Sequence, residues 1–212
     1  PRPSWYTENL GTRSFLDAMV VSRFREQYVD ALSVYLREQE LAGLDIVTDG
    51  DCRFDEDVGG QSWTSYPPHH MSGFEHQHPK LAKMAAGGLA FPRGHILHDY
   101  LEARVMPRIV GPVGRGEMQY AEIFKVAQRL TTRPVKFGTV TPELVAFAVQ
   151  DGHYKDLPSR IMAISDAFNE ELHDLADAGC QVIQMEEPQI HLLAARGVVD
   201  AVINPEFMLK VF

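Results

Sequence analysis

Residues Ser159–Pro188 read S-R-I-M-A-I-S-D-A-F-N-E-E-L-H-D-L-A-D-A-G-C-Q-V-I-Q-M-E-E-P, and their pattern decides the fold class. Ile161, Ile164, Phe168, Leu172 and Leu175 recur three or four residues apart, which predicts a helix over 159–178 with one apolar face. Gly179 stands where a helix ends in the left-handed conformation that glycine enters cheaply. Gln181–Met185 then predicts a strand that runs into Glu186-Glu187-Pro188. The same order appears near the start of the chain. Phe24, Tyr28, Ala31 and Tyr35 mark a helix over 22–42, Gly43 caps it, and Leu44–Thr48 predicts a short buried strand ending in Asp49-Gly50-Asp51.

Between these two units the periodicity weakens and then returns. The segment from Cys52 to about Tyr100 carries Gly59-Gly60, Pro67-Pro68, Gly87-Gly88 and a group of histidines, and reads as a long loop-rich insertion, with room for a hairpin. Val105–Val110 then predicts a strand, Gly111–Gly116 (G-P-V-G-R-G) a turn, and Glu117–Leu130 a helix. Pro134–Val140 predicts a strand, Pro142–Val149 a short helix opened by its proline, and Pro205 a final helix. Strands alternating with helices build a parallel sheet with crossover connections. Two closures compete, a (β/α)8 barrel and an open doubly wound sheet. Four predicted strands are half of a barrel, so the expectation is one partial barrel domain over 1–212 with an insertion at about 52–100. The chain opens at Pro1 without a Met and stops at Phe212 inside an apolar, helix-like run, which reads as the first part of something larger.

Composition bounds the function. The 212 residues are 45% hydrophobic and 23% charged, an ordinary globular balance. The net charge of −9 repels phosphate backbones, and no basic stripe with interleaved aromatics offsets it, so no nucleic-acid partner is expected. No apolar run approaches the roughly 20 residues of a membrane span, so no membrane partner is expected either. Two cysteines make no disulfide scaffold, which points to the cytoplasm.

Both closures place active sites at the carboxyl ends of the strands. The first strand ends in Asp49 and Asp51 and the last in Glu186 and Glu187, acids that suit an ammonium group, a metal or proton transfer. Helix capping or simple solvation is the competing role. Lys136, inside a predicted core strand, is expected to face an anion or a site carboxylate. Gly111–Gly116 sits where a phosphate cradle would lie, but its spacing fits neither the dinucleotide nor the Walker pattern, which favours a plain connection. His69, His70, His76 and His78 fit no standard zinc spacing and read as a polar lid or loop. Cys52 is a minor candidate for the site mouth, and Cys180 reads as core.

Four strings carry a family resemblance: P-R-P-S-W at Pro1–Trp5, Q-E-L-A-G-L-D-I-V-T-D-G-D-C-R-F-D at Gln39–Asp55, R-P-V-K-F at Arg133–Phe137, and A-G-C-Q-V-I-Q-M-E-E-P at Ala178–Pro188. In order they resemble the catalytic domain of cobalamin-independent methionine synthase, in particular its shorter relatives, which include epoxyalkane:coenzyme M transferases. The resemblance implies a (β/α)8 barrel in which zinc binds a thiol substrate. It sets Asp51 at the acid closing the family's G-E pair and Glu186 at the Asp of its D-E-P string, the two acids that hold the amino group of homocysteine. Both keep a carboxylate and change its length. The implied zinc ligands, a His-x-Cys pair, a further Cys and often a carboxylate, would lie beyond Phe212. A methyl-folate co-substrate is implied as well, although G-T-V-T-P at Gly138–Pro142 replaces the family's glycine-proline turn.

The expected function is therefore zinc-dependent methyl or other alkyl transfer to a small thiol such as homocysteine. Transfer from an epoxide or another electrophile, a zinc-free lyase of the same superfamily, and a non-catalytic small-molecule-binding barrel subunit are the alternatives. Coenzyme M carries a sulfonate and no amine, so two acids favour an amine-bearing thiol over it.

Overall fold

The computed structural model describes residues 5–8, 10, 13–52, 62–75, 106–187 and 205–211. In chain order the elements are α1 (Phe15–Val20), α2 (Ser22–Leu41), β1 (Val47–Thr48), α3 (Ser62–His70), β2 (Ser72–Glu75), β3 (Arg108–Gly114) and α4 (Tyr120–Arg129). There follow β4 (Val135–Val140), α5 (Pro142–Ala148), β5 (Gln150–Asp151), α6 (Leu157–Asp177), β6 (Val182–Glu186) and α7 (Pro205–Val211). Local chemistry sets the boundaries of the long helices. Asp156 caps α6 by accepting the Ser159 amide at 2.8 Å. At its other end Gly179 takes φ +95°, and the Cys180 amide turns back to the Leu175 carbonyl at 3.2 Å.

β1, β4 and β6 form a parallel sheet with β4 in the middle. Thr48 lies opposite Lys136, and β4 and β6 run in register from Lys136↔Val182 to Val140↔Glu186. One face of β4 is covered: Val135, Phe137 and Thr139 are buried. Tyr120 anchors that face. Its ring packs 4.7 Å from Phe137 and 5.6 Å from Tyr66, and its hydroxyl shares a 2.6 Å hydrogen bond with Thr139. The other face carries Lys136 and Gln184, which is exposed. In a closed barrel the uncovered face is the interior. The outer edge of β1 is sealed by a side chain. Gln39 accepts the Thr48 amide at 2.8 Å and donates to the Thr48 carbonyl at 2.9 Å, standing in for a neighbouring strand.

The structure corrects the expected strand set. The strand expected at Val105–Val110 lies at Arg108–Gly114 and belongs to a second sheet, antiparallel to β2 and parallel to β5. Gly111–Gly114, expected as a turn, is the end of that strand, and only the residues after it turn. β2 and β3 approach closely: a Cβ on Gly73 of β2 would meet the Pro112 carbonyl oxygen at 2.3 Å, and one on Gly114 of β3 the Ser72 hydroxyl at 2.9 Å. The parallel sheet therefore holds three of the four predicted strands. The segment expected to be loop-rich contains α3 and β2; its stretch 76–100 lies outside the described residues. The short elements α1 and β5 carry no sequence signal strong enough to have been expected.

Glu171 joins the two sheets' surroundings. It is fully buried in α6, accepts the Tyr120 amide at the start of α4 at 2.8 Å, and pairs with Arg115, which also reaches Asp174. Gln119 stands at the N-cap of α4 but its side chain accepts the Leu16 amide at 2.9 Å and makes no bond to the helix end, so Glu171 supplies the acceptor there. Replacing Glu171 by Ala leaves that amide unmatched and Arg115 with Asp174 as its remaining carboxylate partner. The expected loss is about 3 kcal/mol of stability, read as a lower urea midpoint with an unchanged slope.

Candidate functional site at the carboxyl end of the parallel sheet

Because β1, β4 and β6 are parallel, the residues that follow each of them emerge at the same end of the sheet. Those residues are Asp49-Gly50-Asp51, Thr141-Pro142-Glu143 and Glu186-Glu187, the first and last groups separated by two strand spacings, about 10 Å. The structure thus brings together the acids singled out in the sequence and adds one more.

The turn after β1 is built from its own side chains. Thr48 Oγ1 accepts the Gly50 amide at 3.2 Å, and Asp49 Oδ1 accepts the Asp51 amide at 3.1 Å. Asp49 is buried, so this acid shapes the turn. Gly50 has φ +64°, and a Cβ there would meet the Tyr35 ring at 2.8 Å. Asp51 has φ +51°, and among the described residues it is the one non-glycine with positive φ. Such a backbone costs of order 1–3 kcal/mol and collects at functional sites. It leaves the Asp51 side chain half-buried at the sheet's end.

β6 presents its two acids in opposite directions. Gln184 donates to Glu186 Oε1 at 2.9 Å and accepts from Lys136 Nζ at 2.6 Å, so a polar ladder runs along the uncovered face. Lys136 meets an amide oxygen there, and its link to the acid Glu186 passes through Gln184. Glu187 turns toward β4, where Thr141 Oγ1 donates to its Oε2. The Thr141 amide also donates to the Glu186 carbonyl at 3.3 Å, extending the ladder one step past the strands.

Glu143 is the site residue that sequence inspection missed. It is 1% exposed, and among the described residues neither carboxyl oxygen completes a hydrogen bond. Burial, reinforced by the charge of Glu187, pushes its carboxyl up to about 7, while the nearby Thr141 hydroxyl and its own amide oppose the shift. The available signal was an acid two residues beyond a strand end in Thr141-Pro142-Glu143; it resembles an ordinary first-turn acid of a helix.

The remaining candidates lie elsewhere or are already engaged. His69 and His70 sit in helix α3 and not in a loop: His69 Nδ1 contacts the Ser65 carbonyl at 2.7 Å, and the buried His70 ring lies 4.3 Å from that of Tyr66, tilted by 33°. His76 and His78 fall outside the described residues. The Gly111–Gly116 amides are partly spent on the protein itself, Val113 N donating to the Tyr154 hydroxyl at 2.8 Å. Cys52 is fully buried, and Cys180 is buried with its thiol pushed up by that burial. Among the described residues no group of three or more His, Cys, Asp or Glu is placed to hold a metal ion, so these residues do not fit a zinc centre. No helix among them is long and apolar enough to cross a membrane.

An arc of parallel strands, its uncovered face polar and its carboxyl ends tipped with acids, defines a portion of a (β/α)8 barrel. Residues 80–210 match the family described as the catalytic domain of cobalamin-independent synthase, and the chain belongs to that family. It is 28% identical over 195 residues to a 2-hydroxypropyl-CoM lyase of Xanthobacter autotrophicus, covering 88% of this chain and 45% of the relative. It is 24% identical over 192 residues to a methionine synthase of Saccharolobus solfataricus, covering 90% and 51%. The solved B12-independent methionine synthase of Shewanella sp. W3-18-1, in complex with selenomethionine, superposes with a TM-score of 0.65 at 22% identity, over 92% of this chain and 51% of that one. The chain spans about half the length of the relatives it matches.

Two outcomes follow from the geometry. Asp51→Gly relieves the left-handed backbone and is expected to raise stability by up to about 1 kcal/mol in urea titrations, while removing a site carboxylate. Glu143 holds its proton more tightly folded than unfolded, so its contribution to stability is complete below the ordinary carboxyl value of 4.5 and is lost as pH rises to about 7. Glu143→Gln is expected to flatten stability across that window and to be the more stable protein above it, by about 3 kcal/mol at most. A wild-type curve that does not fall between these pH values contradicts this.

Proposed function

We propose that this chain supplies the amine-binding end of a thiol alkyltransferase of the methionine-synthase type, acting on a small amine-bearing thiol such as homocysteine in the cytoplasm. The observation that carries the reading is the excess of carboxylates at the end of the parallel sheet. Asp51, Glu186 and Glu187 gather there with Glu143, while Lys136 is tied to Gln184. A cationic ligand group is the natural complement of such a site, and a sulfonate is not.

In this reading Asp51 and Glu186 grip the ammonium from the two flanking strands, and the ladder from Lys136 through Gln184 fixes where Glu186 points. Holding the amine places the thiol end of the substrate at a set distance from the sheet, which is the orientation an alkyl transfer requires. Zinc and a methyl-folate co-substrate belong to the family resemblance; no step here is routed through either. The likeness to a 2-hydroxypropyl-CoM lyase supports a second reading, carbon–sulfur bond chemistry on a thiol of another kind.

Isothermal titration of the protein at its full encoded length separates the two. Homocysteine is expected to bind, and Asp51→Asn or Glu186→Gln to weaken it at least tenfold, about 1.4 kcal/mol. Binding of coenzyme M in preference to homocysteine selects the second reading, and binding of neither sinks both.

A further inference from the structure

Glu143 stands apart from the other acids because it is buried and, among the described residues, neither of its carboxyl oxygens completes a hydrogen bond, although its own amide and Thr141 lie beside it. Besides its own amide, the donor beside it is Thr141, and that hydroxyl is engaged with Glu187. A hydroxyl has one proton and serves one carboxylate at a time. In the free protein it serves Glu187, and Glu143 is left at 1% exposure with both oxygens unmatched. An ionised carboxylate in that position is costly, whereas a protonated one is tolerable.

We propose that Glu143 is a positioning residue that carries a proton in the free protein and releases it to solvent when an ammonium-bearing ligand binds beside Glu186 and Glu187. The ligand's charge takes over Glu187, which frees the Thr141 hydroxyl to turn to Glu143. The same positive charge favours the ionised form of Glu143. The O–H bond of the Glu143 carboxyl breaks, its electron pair stays on the carboxylate, and the proton goes to the buffer; the ligand remains an ammonium. The site thus adjusts its own charge to that of the ligand and admits a neutral or anionic group less readily.

Among the described residues, the elements packed against α5 carry these other titratable groups. On α6, Arg160 lies 3.8 Å from Asp151, and Glu171 pairs with Arg115. On α3, His69 is bonded to the Ser65 carbonyl and the His70 ring packs at a tilt against Tyr66. On the strand side are Glu186 and Glu187, and Glu187 is the charge that acts on Glu143.

The proposal rests on the amine-binding reading, and its test keeps the two separable. The first measurement needs no ligand: an infrared pH titration of the full-length protein, following the carbonyl band of a protonated carboxyl. The band is expected to persist up to about pH 7 in the wild type and to be missing from Glu143→Gln. The second is titration calorimetry with homocysteine just below neutral pH, in two buffers of different ionisation heat. Binding is expected to release up to about one proton per ligand in the wild type, close to none in Glu143→Gln, and less in Thr141→Val. If the wild type lacks the infrared band, or if Glu143→Gln releases as many protons as the wild type, the proposal falls while the amine-binding reading stands. If homocysteine does not bind at all, the amine-binding reading falls and this inference with it, whatever the infrared titration shows of Glu143 itself. Should Glu143→Gln fail to fold, the wild-type band and the Thr141→Val calorimetry decide the matter.

Discussion

β4 is hydrogen-bonded along both edges by strands that run in its own direction, and this double parallel pairing governs the rest of the molecule. Parallel neighbours start at one end and finish at the other, so whatever follows three separate strands is delivered to one place. The chain then needs only short turns to gather Asp51, Glu143, Glu186 and Glu187, which are far apart in sequence. The pairing also divides the sheet into two chemically distinct faces. Val135, Phe137 and Thr139 pack under Tyr120 and the helices, whereas Lys136 and Gln184 line the uncovered side. A side chain on that uncovered face has polar partners within its own sheet, which is how a charged Lys is kept in a strand that is half core.

The electrostatics of the sheet's end follow from crowding. Carboxylates placed close together in partly dry surroundings cannot all stay ionised without donors or cations, and the chain uses three ways to meet that constraint. Asp49 accepts a backbone amide inside its own turn. Glu186 and Glu187 accept from Gln184 and Thr141. Glu143, with no completed bond, moves its titration toward neutrality. The contrast with Glu171 is instructive. That residue is as deeply buried and burial pushes its carboxyl up as well, but Arg115 and the Tyr120 amide oppose the rise. Glu171 is therefore a structural joint, and Glu143 is a group whose charge responds to what binds beside it.

Much of this was legible in the residues themselves. The long apolar stripes of α2 and α6 gave their helices to within a residue or two, and the acids closing β1 and β6 marked the end of the sheet that matters. What failed to show was non-local. β3 has a strand's composition, but nothing in its residues says that its partners are β2 and β5 and not β4. The glycines after Val110 looked like a turn because glycine usually punctuates; here Gly111 and Gly114 lie within β3, against which Gly73 of β2 packs backbone to backbone. Glu143 was overlooked for a related reason. An acid in the first turn of a helix is ordinarily solvated and helps the helix, and only its burial behind β4 and the proximity of Glu187 make it unusual.

The exchanged lengths of the two principal acids have a structural counterpart. By the sequence resemblance, the acid after β1 would be shorter by one methylene than the family's and the acid closing β6 longer by one. The shorter acid sits on a left-handed backbone, and a hydrogen bond from its amide to Asp49 holds that backbone in place. The longer acid would be the floppier of the two, but the ladder from Lys136 through Gln184 fixes its carboxyl. Each change in reach is thus matched by a local device that sets the carboxylate's position. Were the acids merely solvated, a strained turn and an ordered polar ladder would bring the fold no benefit. Strain of that kind persists where the surrounding structure demands it, and here the demand falls on the one end of the sheet where an amine could be held between two strands.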